Sequence, residues 1–273
     1  MDHTDEELDA FAEWERRAWE TRAALYAESL TDLTGGAAEA LLDAAAVGPG
    51  TRVLDVATGP GVVALAARRR GARVTAVDQA EAMVRLARKS GLDARQARAE
   101  DLPFEDGAFD AVVGGFLLNH LARPDAGVAQ LARVCRGRLA LSVWDRPEAN
   151  VALGLFGPVV ESSGLPDVVP PGPDSTLFSD DSRMAALLTT AGLEDVVVSH
   201  VGWTVTIDPA RWFDAVADGT PRTGAVLAVV DSQERARLRQ RYVELATTRY
   251  GGAGDEVVLP AAAVVGSGRS GPR

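Results

Sequence analysis

Disulfide bonds, a cysteine-rich metal site and a membrane span are all excluded by what this sequence lacks. Cys135 is the single cysteine, so no intrachain disulfide and no cysteine-rich zinc site can form. No uninterrupted apolar run approaches the roughly 20 residues that a membrane helix needs. The N-terminus also lacks the basic-then-apolar order of a secretion signal. We therefore expect a cytoplasmic protein without a membrane partner.

Positive charge is also scarce. Lysine and arginine number 28 against 39 aspartates and glutamates, which gives a net charge of -11. Nucleic-acid-binding proteins concentrate lysine and arginine on one face, so a nucleic-acid partner is not expected. No acidic cluster has plausible metal-ligand spacing, and we predict no metal. A small molecule is the expected partner, and the protein is expected to act as a monomer or homodimer.

From residue 47 onward, short apolar segments alternate with helical patterns. The predicted strands are "RVLDVA", "ARVTAVD", a weaker "LDARQAR", "FDAVVGGF" and "RLALSVW", with helical segments between them. Strands that alternate with helices at this spacing form a mostly parallel sheet covered on both faces. The sequence therefore predicts a doubly wound α/β core.

Two segments depart from this alternation. Between residues 8 and 33 apolar residues recur at helical spacing, which predicts an amphipathic helix or a pair of them. The segment after residue 145 is rich in Pro, Gly and Ser and has no clean period. We therefore expect an N-terminal helical arm or lid at 1–46, a core domain at 47–145 and 181–268, and a substrate-side insertion at 146–180.

The loop "TGPG" joins the first strand to a helix. Gly59 and Gly61 let a ligand approach the backbone, and the helix N-terminus favours an anion. The loop also matches the dinucleotide fingerprint, which by itself is weak evidence. Asp55 before the loop would repel a pyrophosphate but favour an ammonium group, and Asp78 at the end of the next strand is placed to accept ribose hydroxyls. An amino acid joined to a ribose indicates S-adenosylmethionine.

Four stretches resemble a known family in sequence, order and spacing: "VLDVATGPG", "VTAVDQAEAMVRLAR", "ARAEDLPFEDGAFDAVVGGFLLNHLARP" and "RLALSVWDRP". The chain resembles the class I S-adenosylmethionine-dependent methyltransferases, in the small-molecule branch similar to the ubiquinone and menaquinone biosynthesis methyltransferases. The resemblance implies a Rossmann-like seven-stranded sheet in the order 3-2-1-4-5-7-6 with the last strand antiparallel. Strand six is then expected near residues 195–207 and strand seven near 256–266.

The same resemblance assigns roles to individual positions. It places the methionine end of the cofactor near the glycine loop, the ribose at Asp78, the adenine beside the segments after the second and third strands, and the sulfonium carbon near Phe116. The implied cofactor-binding residues are Asp55, Ala57, Thr58, Gly59, Gly61, Asp78, Gln79, Met83, Ala99, Glu100, Asp101 and Phe116. Arg98 departs from the family, because relatives commonly place an Asp there for the adenine amino group. That contact is then expected from Glu100, Asp101 or the backbone.

The sequence pattern defines the residues near the transferred methyl group and the substrate less closely than those near the rest of the cofactor. His120, just past the fourth strand, is a candidate general base, although it could also hydrogen-bond the loop or substrate without titrating. Trp14, Trp19 and Tyr26 on the N-terminal arm are candidates for docking anchors or for a lid over an apolar substrate. Asn119 and Trp144 are further substrate candidates.

These residues predict an enzyme that transfers a methyl group from S-adenosylmethionine to O, N or C of a small, partly apolar metabolite. The Ala-rich, Arg-rich and Lys-poor composition is compatible with specialised metabolism. Two alternatives keep the fold: a non-methylating enzyme that uses the cofactor for cyclisation or rearrangement, and a vestigial binding or regulatory protein. An NAD-dependent oxidoreductase ranks last.

Overall fold

A mixed seven-stranded sheet forms the centre of the molecule. The structure is a computed structural model that describes residues 3–161, 168–251 and 255–271. Within them the strand order is β3-β2-β1-β4-β5-β7-β6, which confirms the expected topology. The strands are β1 (Arg52–Val56), β2 (Arg73–Asp78), β3 (Asp93–Gln96), β4 (Phe109–Gly115), β5 (Cys135–Trp144), β6 (Leu193–Ile207) and β7 (Val257–Ser270).

The helices follow the predicted alternation and add two groups to it. One group precedes the sheet and the other lies between β6 and β7. The described helices are α1 (Asp5–Ser29), α2 (Thr31–Gly35), α3 (Ala38–Ala44), α4 (Val62–Arg69), α5 (Glu81–Lys89), α6 (Pro124–Val134), α7 (Val151–Gly154), α8 (Phe156–Glu161), α9 (Asp181–Thr190), α10 (Pro209–Gly219), α11 (Pro221–Ala228) and α12 (Ser232–Tyr250).

Each face of the sheet is covered because successive side chains of a strand point to opposite faces. On β1, Leu54 joins a buried cluster with residues of α6 and α9, whereas Val53 joins another with residues of α3 and α4. Both side chains are fully buried. β1 to β5 pair in parallel, and β7 lies antiparallel to both β5 and β6. The carboxyl ends of the parallel strands therefore meet at one edge.

A second core lies beyond that edge. β7 pairs with β5 only as far as Trp144, but the β6–β7 pairing continues to Ile207 and Val257. Around this extension, side chains of α7, α8, α10 and α12 form their own apolar cluster, which includes the rings of Phe213 and Tyr242. The α10–α12 segment therefore packs beyond the strand ends and against α1.

The last two strands differ in detail from the predicted bounds. β6 begins at Leu193, two residues before the expected start, with an irregular register near Asp195. β7 continues to Ser270, past the expected end at 266, because its last residues still pair with β5 and β6. Part of the expected insertion, residues 162–167, lies outside the described residues. None of the described helices has the length and apolar character to cross a membrane.

Candidate functional site

A cavity lies where the carboxyl ends of β1 to β5 meet the second core. One side, which we call the loop wall, comes from the segments that follow β1, β2 and β3. Its residues are Ala57, Gly59, Asp78, Gln79, Met83, Ala97, Ala99 and Glu100. The opposite side, the helical wall, comes from the helices around the second core. Its residues include Trp19, Tyr26, Leu30, Leu33, Thr34, Leu153, Phe156, Val216, Thr220, Pro221, Arg222 and Thr223.

The loop after β1 adopts a left-handed backbone at Ala57, Gly59 and Gly61, with φ values of 57°, 56° and 100°. A Cβ at Gly61 would lie only 2.4 Å from Leu92 Cδ1, so the tight packing of the turn requires glycine there. A Cβ at Gly59 would find no atom of the described residues nearer than Tyr26 Cε1, at 4.0 Å. The space above Gly59 is therefore open to a ligand that approaches the backbone.

Asp55 lies behind this loop, outside the cavity wall. Its Oδ2 accepts hydrogen bonds from Thr58 Oγ1 at 2.7 Å and from the Ala64 backbone N–H at 3.0 Å. Ala64 is in the first turn of α4, so Asp55 itself occupies an amide at the helix end that was expected to face a ligand. Burial raises the pKa of Asp55 to about 7, although these two donors oppose the shift. Its Oδ1 is buried without a hydrogen bond in the described structure.

Asp78, at the end of β2, does line the cavity. Its two oxygens accept the backbone N–H groups of Gly59 and Ala80, each at 2.9 Å. Burial raises the pKa of Asp78 to about 6, opposed by those backbone donors. Each carboxylate oxygen has a second lone pair, so Asp78 can still accept hydrogen bonds from hydroxyl groups of a ligand. Asp78 therefore joins the glycine loop to the start of α5.

Beside Asp78 the loop wall combines apolar and polar side chains. Met83 is 2% exposed and contributes to the wall from α5. Glu100 also lines the cavity, and its carboxylate lies 3.6 Å from the Arg98 guanidinium. Asp101, by contrast, is exposed and does not line the wall. Of the two acids suggested for an adenine amino group, the structure therefore brings only Glu100 to the cavity.

Phe116 and Trp144 lie between the two walls, at the ends of β4 and β5. Their rings stack with centroids 3.8 Å apart. Phe116 has a φ of 54°, a left-handed conformation that is strained for a bulky side chain. Its backbone N–H donates to Ser142 Oγ at 3.1 Å, and Ser142 is fully buried on β5. The strained turn therefore fixes an aromatic pair on the cavity surface.

His120 ends a short 3₁₀ turn after β4 (Leu118–His120) and lines the cavity together with Asn119. Its Nδ1 lies 3.0 Å from Glu15 Oε2 on α1, and the Trp19 ring packs edge-on against the imidazole at 5.1 Å. Glu15 is 0% exposed, and Arg222 Nε lies 3.7 Å from its Oε1. A second Arg222 nitrogen donates to the Asn119 carbonyl at 3.1 Å. A buried, charged network therefore lies directly behind the His120 ring.

Sequence reasoning missed Glu15 and Arg222, although the pattern around Glu15 held a signal. Phe11, Glu15 and Trp19 follow one another at four-residue spacing, which places them on one face of α1. That face is buried, because Phe11 is 0% exposed. A carboxylate in such a face needs a partner. For Arg222 we find no comparable signal, because its position depends on how α11 packs against α1.

Trp14 is the predicted lid residue that does not reach the cavity. Its ring stacks instead on Phe11, with centroids 6.1 Å apart. Trp19 and Tyr26, one and three turns further along α1, do line the helical wall. Tyr26 also contacts Trp19 edge-on at 5.2 Å and donates its hydroxyl proton toward Thr34 at 3.3 Å. In the described residues no group of three or more His, Cys, Asp or Glu is placed to hold a metal ion.

The strand order and the strand-end cavity define a Rossmann-like α/β protein of the class I methyltransferase type. The "Methyltransferase domain" family model matches residues 54–140. A ubiquinone biosynthesis O-methyltransferase of Xanthomonas campestris pv. campestris is 36% identical over 200 residues, which cover 69% of this chain and 80% of that protein. The chain belongs to the family of S-adenosylmethionine-dependent methyltransferases, and it is an enzyme of that type.

Solved structures agree with this fold. A Bacillus halodurans C-125 protein assigned as a methyltransferase aligns with a TM-score of 0.56 at 22% identity, over 86% of this chain and 99% of its own. A phosphoethanolamine N-methyltransferase of Haemonchus contortus, solved with S-adenosylhomocysteine, aligns with a TM-score of 0.55 at 16% identity, over 96% of this chain and 60% of its own. At these identities the likeness concerns the fold alone. The expected cofactor, S-adenosylmethionine, is confirmed by the family.

Proposed function

We propose that this methyltransferase methylates a hydroxyl oxygen of a small, partly apolar acceptor, and that His120 removes the hydroxyl proton. The observation that carries the proposal is the position of His120, on the surface of a cavity whose helical wall is mostly aromatic and aliphatic. An alcohol or phenol is a poor nucleophile until it loses its proton, so a base at this point has its largest effect on oxygen. The similarity to an O-methyltransferase supports the same choice.

We propose that the loop wall holds the cofactor, which supplies an electrophilic methyl group when bound. Asp78 would accept the ribose hydroxyls, and the open space at Gly59 would admit the methionine end. Gln79, Met83, Ala99 and Glu100 would surround the adenine, and Phe116 would contact the end that bears the methyl group. Asp55, Thr58 and Gly61 would act behind the wall, because they hold the loop in shape.

We propose that the helical wall binds the acceptor, with residues 1–46 as a lid and 146–180 as part of the acceptor side. Trp19, Tyr26 and Trp144 present flat apolar surfaces to the cavity, whereas Asn119 and His120 present polar atoms. Asn119 Oδ1 is buried without a partner among the described residues, so an acceptor with a hydrogen-bond donor would satisfy it. These helices would exclude water from the cavity, and their contacts with the acceptor would hold the hydroxyl oxygen in line with the methyl group.

We propose a cytoplasmic enzyme that acts as a monomer or homodimer in specialised metabolism. The lone, fully buried cysteine is compatible with a reducing compartment, and the Arg-rich, Lys-poor composition supports the metabolic setting. Size-exclusion chromatography with light scattering would determine the oligomeric state.

The test is a methyl-transfer assay with isotope-labelled S-adenosylmethionine and a panel of phenols, alcohols, amines and activated carbon acids. We expect methylated products from hydroxyl compounds, each with the mass of one added methyl group. His120→Asn should lower kcat about 100-fold or more, since general bases typically contribute at least that much. S-adenosylhomocysteine affinity should stay within about threefold.

His200→Asn is the matched control. His200 is half-exposed and lies between Asp145 and Asp181, at 2.6 Å and 2.9 Å, outside this cavity. We expect full activity from that variant. Methylation of amines or carbon alone, or a product without added methyl mass, would refute the assignment to oxygen, and the second result would select the non-methylating alternative.

A further inference from the structure

Glu15 has a carboxylate in the interior of the protein, on a helix that otherwise buries apolar groups. The side chain is 0% exposed, and the neighbouring buried positions of α1 are Phe11, Ala12 and Ala23. Removing a carboxylate from water is unfavourable, and a well-packed apolar residue at such a site is often at least as stabilising. Packing of α1 therefore does not explain why a carboxylate is present at this position. The contact of Glu15 with His120 explains it.

We propose that Glu15 is a positioning residue for His120, an inference that rests on the proposed oxygen methylation. Glu15 Oε2 lies 3.0 Å from His120 Nδ1. A carboxylate only accepts hydrogen bonds. In the neutral imidazole the proton is therefore on Nδ1, and this N–H donates to Glu15. Nε2, on the opposite edge of the ring, is then unprotonated. An unprotonated Nε2 is the form that can accept a proton from an acceptor hydroxyl.

The proton balance follows from this tautomer. The acceptor's O–H bond breaks and its proton moves to His120 Nε2. The electron pair left on oxygen forms the new C–O bond with the methyl carbon, while the old C–S bond breaks and its pair stays on sulfur. His120 becomes an imidazolium with a proton on each nitrogen, and Glu15 then faces a cation. The carboxylate therefore stabilises the charge that develops during the step.

The surrounding charges support an ordered arrangement. Arg222 Nε lies 3.7 Å from Glu15 Oε1, and Arg222 also donates to the Asn119 carbonyl, in the turn that bears His120. Arg222 thus compensates the carboxylate and holds the histidine turn from α11. Trp19 restricts the imidazole on another side. The ring is fixed by residues of α1 and α11 that the chain brings together from far apart.

Through this contact α1 contributes to proton transfer as well as to covering the cavity. Glu15 and His120 are 105 positions apart in the sequence, and their contact forms only when α1 is docked. If α1 moves away, the imidazole loses the acceptor that selects its tautomer. Docking of the helix would then both cover the acceptor and complete the base.

The first test reads the tautomer directly and needs no acceptor. Two-bond ¹H–¹⁵N spectra of the labelled protein at about pH 8.5, where an ordinary imidazole is neutral, report which nitrogen bears the proton. The chain has three histidines, and His120→Asn identifies the relevant signals. We expect Nδ1–H and bare Nε2 for His120 in the wild type. Glu15→Met should fold and lose this preference, whereas Glu15→Asp should retain part of it.

Glu20→Gln is the matched control on the same helix. Glu20 accepts from the Ala82 backbone N–H at 3.0 Å and pairs with Arg85 at 3.1 Å, so it also helps to dock α1. It has no hydrogen bond or ion pair with His120 among the contacts of the described residues. A glutamine can still accept from the Ala82 N–H, so α1 should stay docked and the control should leave the tautomer and the rate unchanged. A change of equal size in Glu20→Gln and Glu15→Gln would show that only helix docking matters and would overturn the proposal.

The second test is kinetic and uses a hydroxyl acceptor from the panel. Glu15→Gln should lower kcat about 10- to 100-fold, part of the effect of losing the base itself. The KM for the acceptor and the affinity for S-adenosylhomocysteine should change less than about threefold, and Glu15→Asp should recover part of the rate. An Nε2–H tautomer in the wild type, or an unchanged kcat in Glu15→Gln, would overturn the role of Glu15. Wild-type methylation of amines alone would instead overturn the oxygen assignment, and the spectra would still decide the tautomer.

Discussion

The loop wall and the helical wall enclose one cavity but are built from very different lengths of chain. The loop wall uses residues 57–100, taken from the ends of three adjacent parallel strands. The helical wall uses residues 19–34, 153–156 and 216–223, which meet only when α1, α8 and α10 have packed. The first wall depends on local turns and strand order. The second depends on tertiary packing, so its residues are free to differ without altering the sheet.

The largest effect is expected at Asp78, whose loss should weaken cofactor binding at the loop wall. Asp78→Ala removes the acceptor for the Gly59 and Ala80 amides as well as two possible ligand contacts. Hydrogen bonds to a charged group are worth about 1.5–3 kcal/mol each, so we expect S-adenosylhomocysteine affinity to fall about 100-fold or more. Calorimetric titration measures this. Asp93→Ala, at the exposed start of β3, is the control, and equal affinity in the two variants would remove Asp78 from the cofactor site.

A smaller effect, confined to the acceptor, is expected at Trp144. Trp144→Leu removes the ring that stacks on Phe116, and we expect the KM for a hydroxyl acceptor to rise about tenfold, since aromatic contacts are worth about 1 kcal/mol beyond area burial. Affinity for S-adenosylhomocysteine should stay within about twofold.

Trp203→Leu provides the comparison for Trp144, because Trp203 packs near Trp144 at 6.2 Å without lining the cavity. We expect Trp203→Leu to lower the melting temperature about as much as Trp144→Leu does, but to leave the KM for the acceptor unchanged. If both variants raised the KM equally, the effect would come from general loosening of the second core rather than from contact with the acceptor.

The smallest effect concerns stability and pH, through Asp55. Its pKa in the folded protein, about 7, lies above the value in an unfolded chain. The folded state therefore binds more protons between about pH 4 and pH 7, and the contribution of Asp55 to stability falls as pH rises through that window. Asp55→Asn should flatten the decline of the melting temperature between pH 5 and pH 8 by a few degrees.

Asp78, whose pKa is raised to about 6, adds a decline of the same sign at lower pH. The remaining slope in Asp55→Asn should therefore lie mainly below pH 7. Thermal melts at half-unit intervals measure both slopes, and the exposed Asp93→Asn is the control. A slope unchanged by Asp55→Asn would mean that Asp55 is charged in the folded protein throughout the range.

The strand order and the cofactor were predictable because their signals are local. Alternating strands and helices predict a parallel sheet, and the loop "TGPG" with Asp55 and Asp78 lies in one short segment. The prediction did not anticipate that Asp55 faces the loop rather than the cavity, because its partners Thr58 and Ala64 depend on how the turn folds back. The helical wall was harder to predict from the sequence. Trp14 and Trp19 look alike in the sequence, and only the rotation of α1 against the sheet places one on the wall.

The place of β7 in the sheet has a consequence for how the protein is made. β7 pairs with β5 on one side and β6 on the other, yet it is synthesised after all six other strands. Until it emerges from the ribosome, β5 has an unpaired edge of backbone donors and acceptors, which is prone to wrong pairing. The first four strands can assemble the loop wall in the meantime. The helical wall therefore matures late, when β7 pairs with β6 and the helices between these two strands pack beside Ile207 and Trp144.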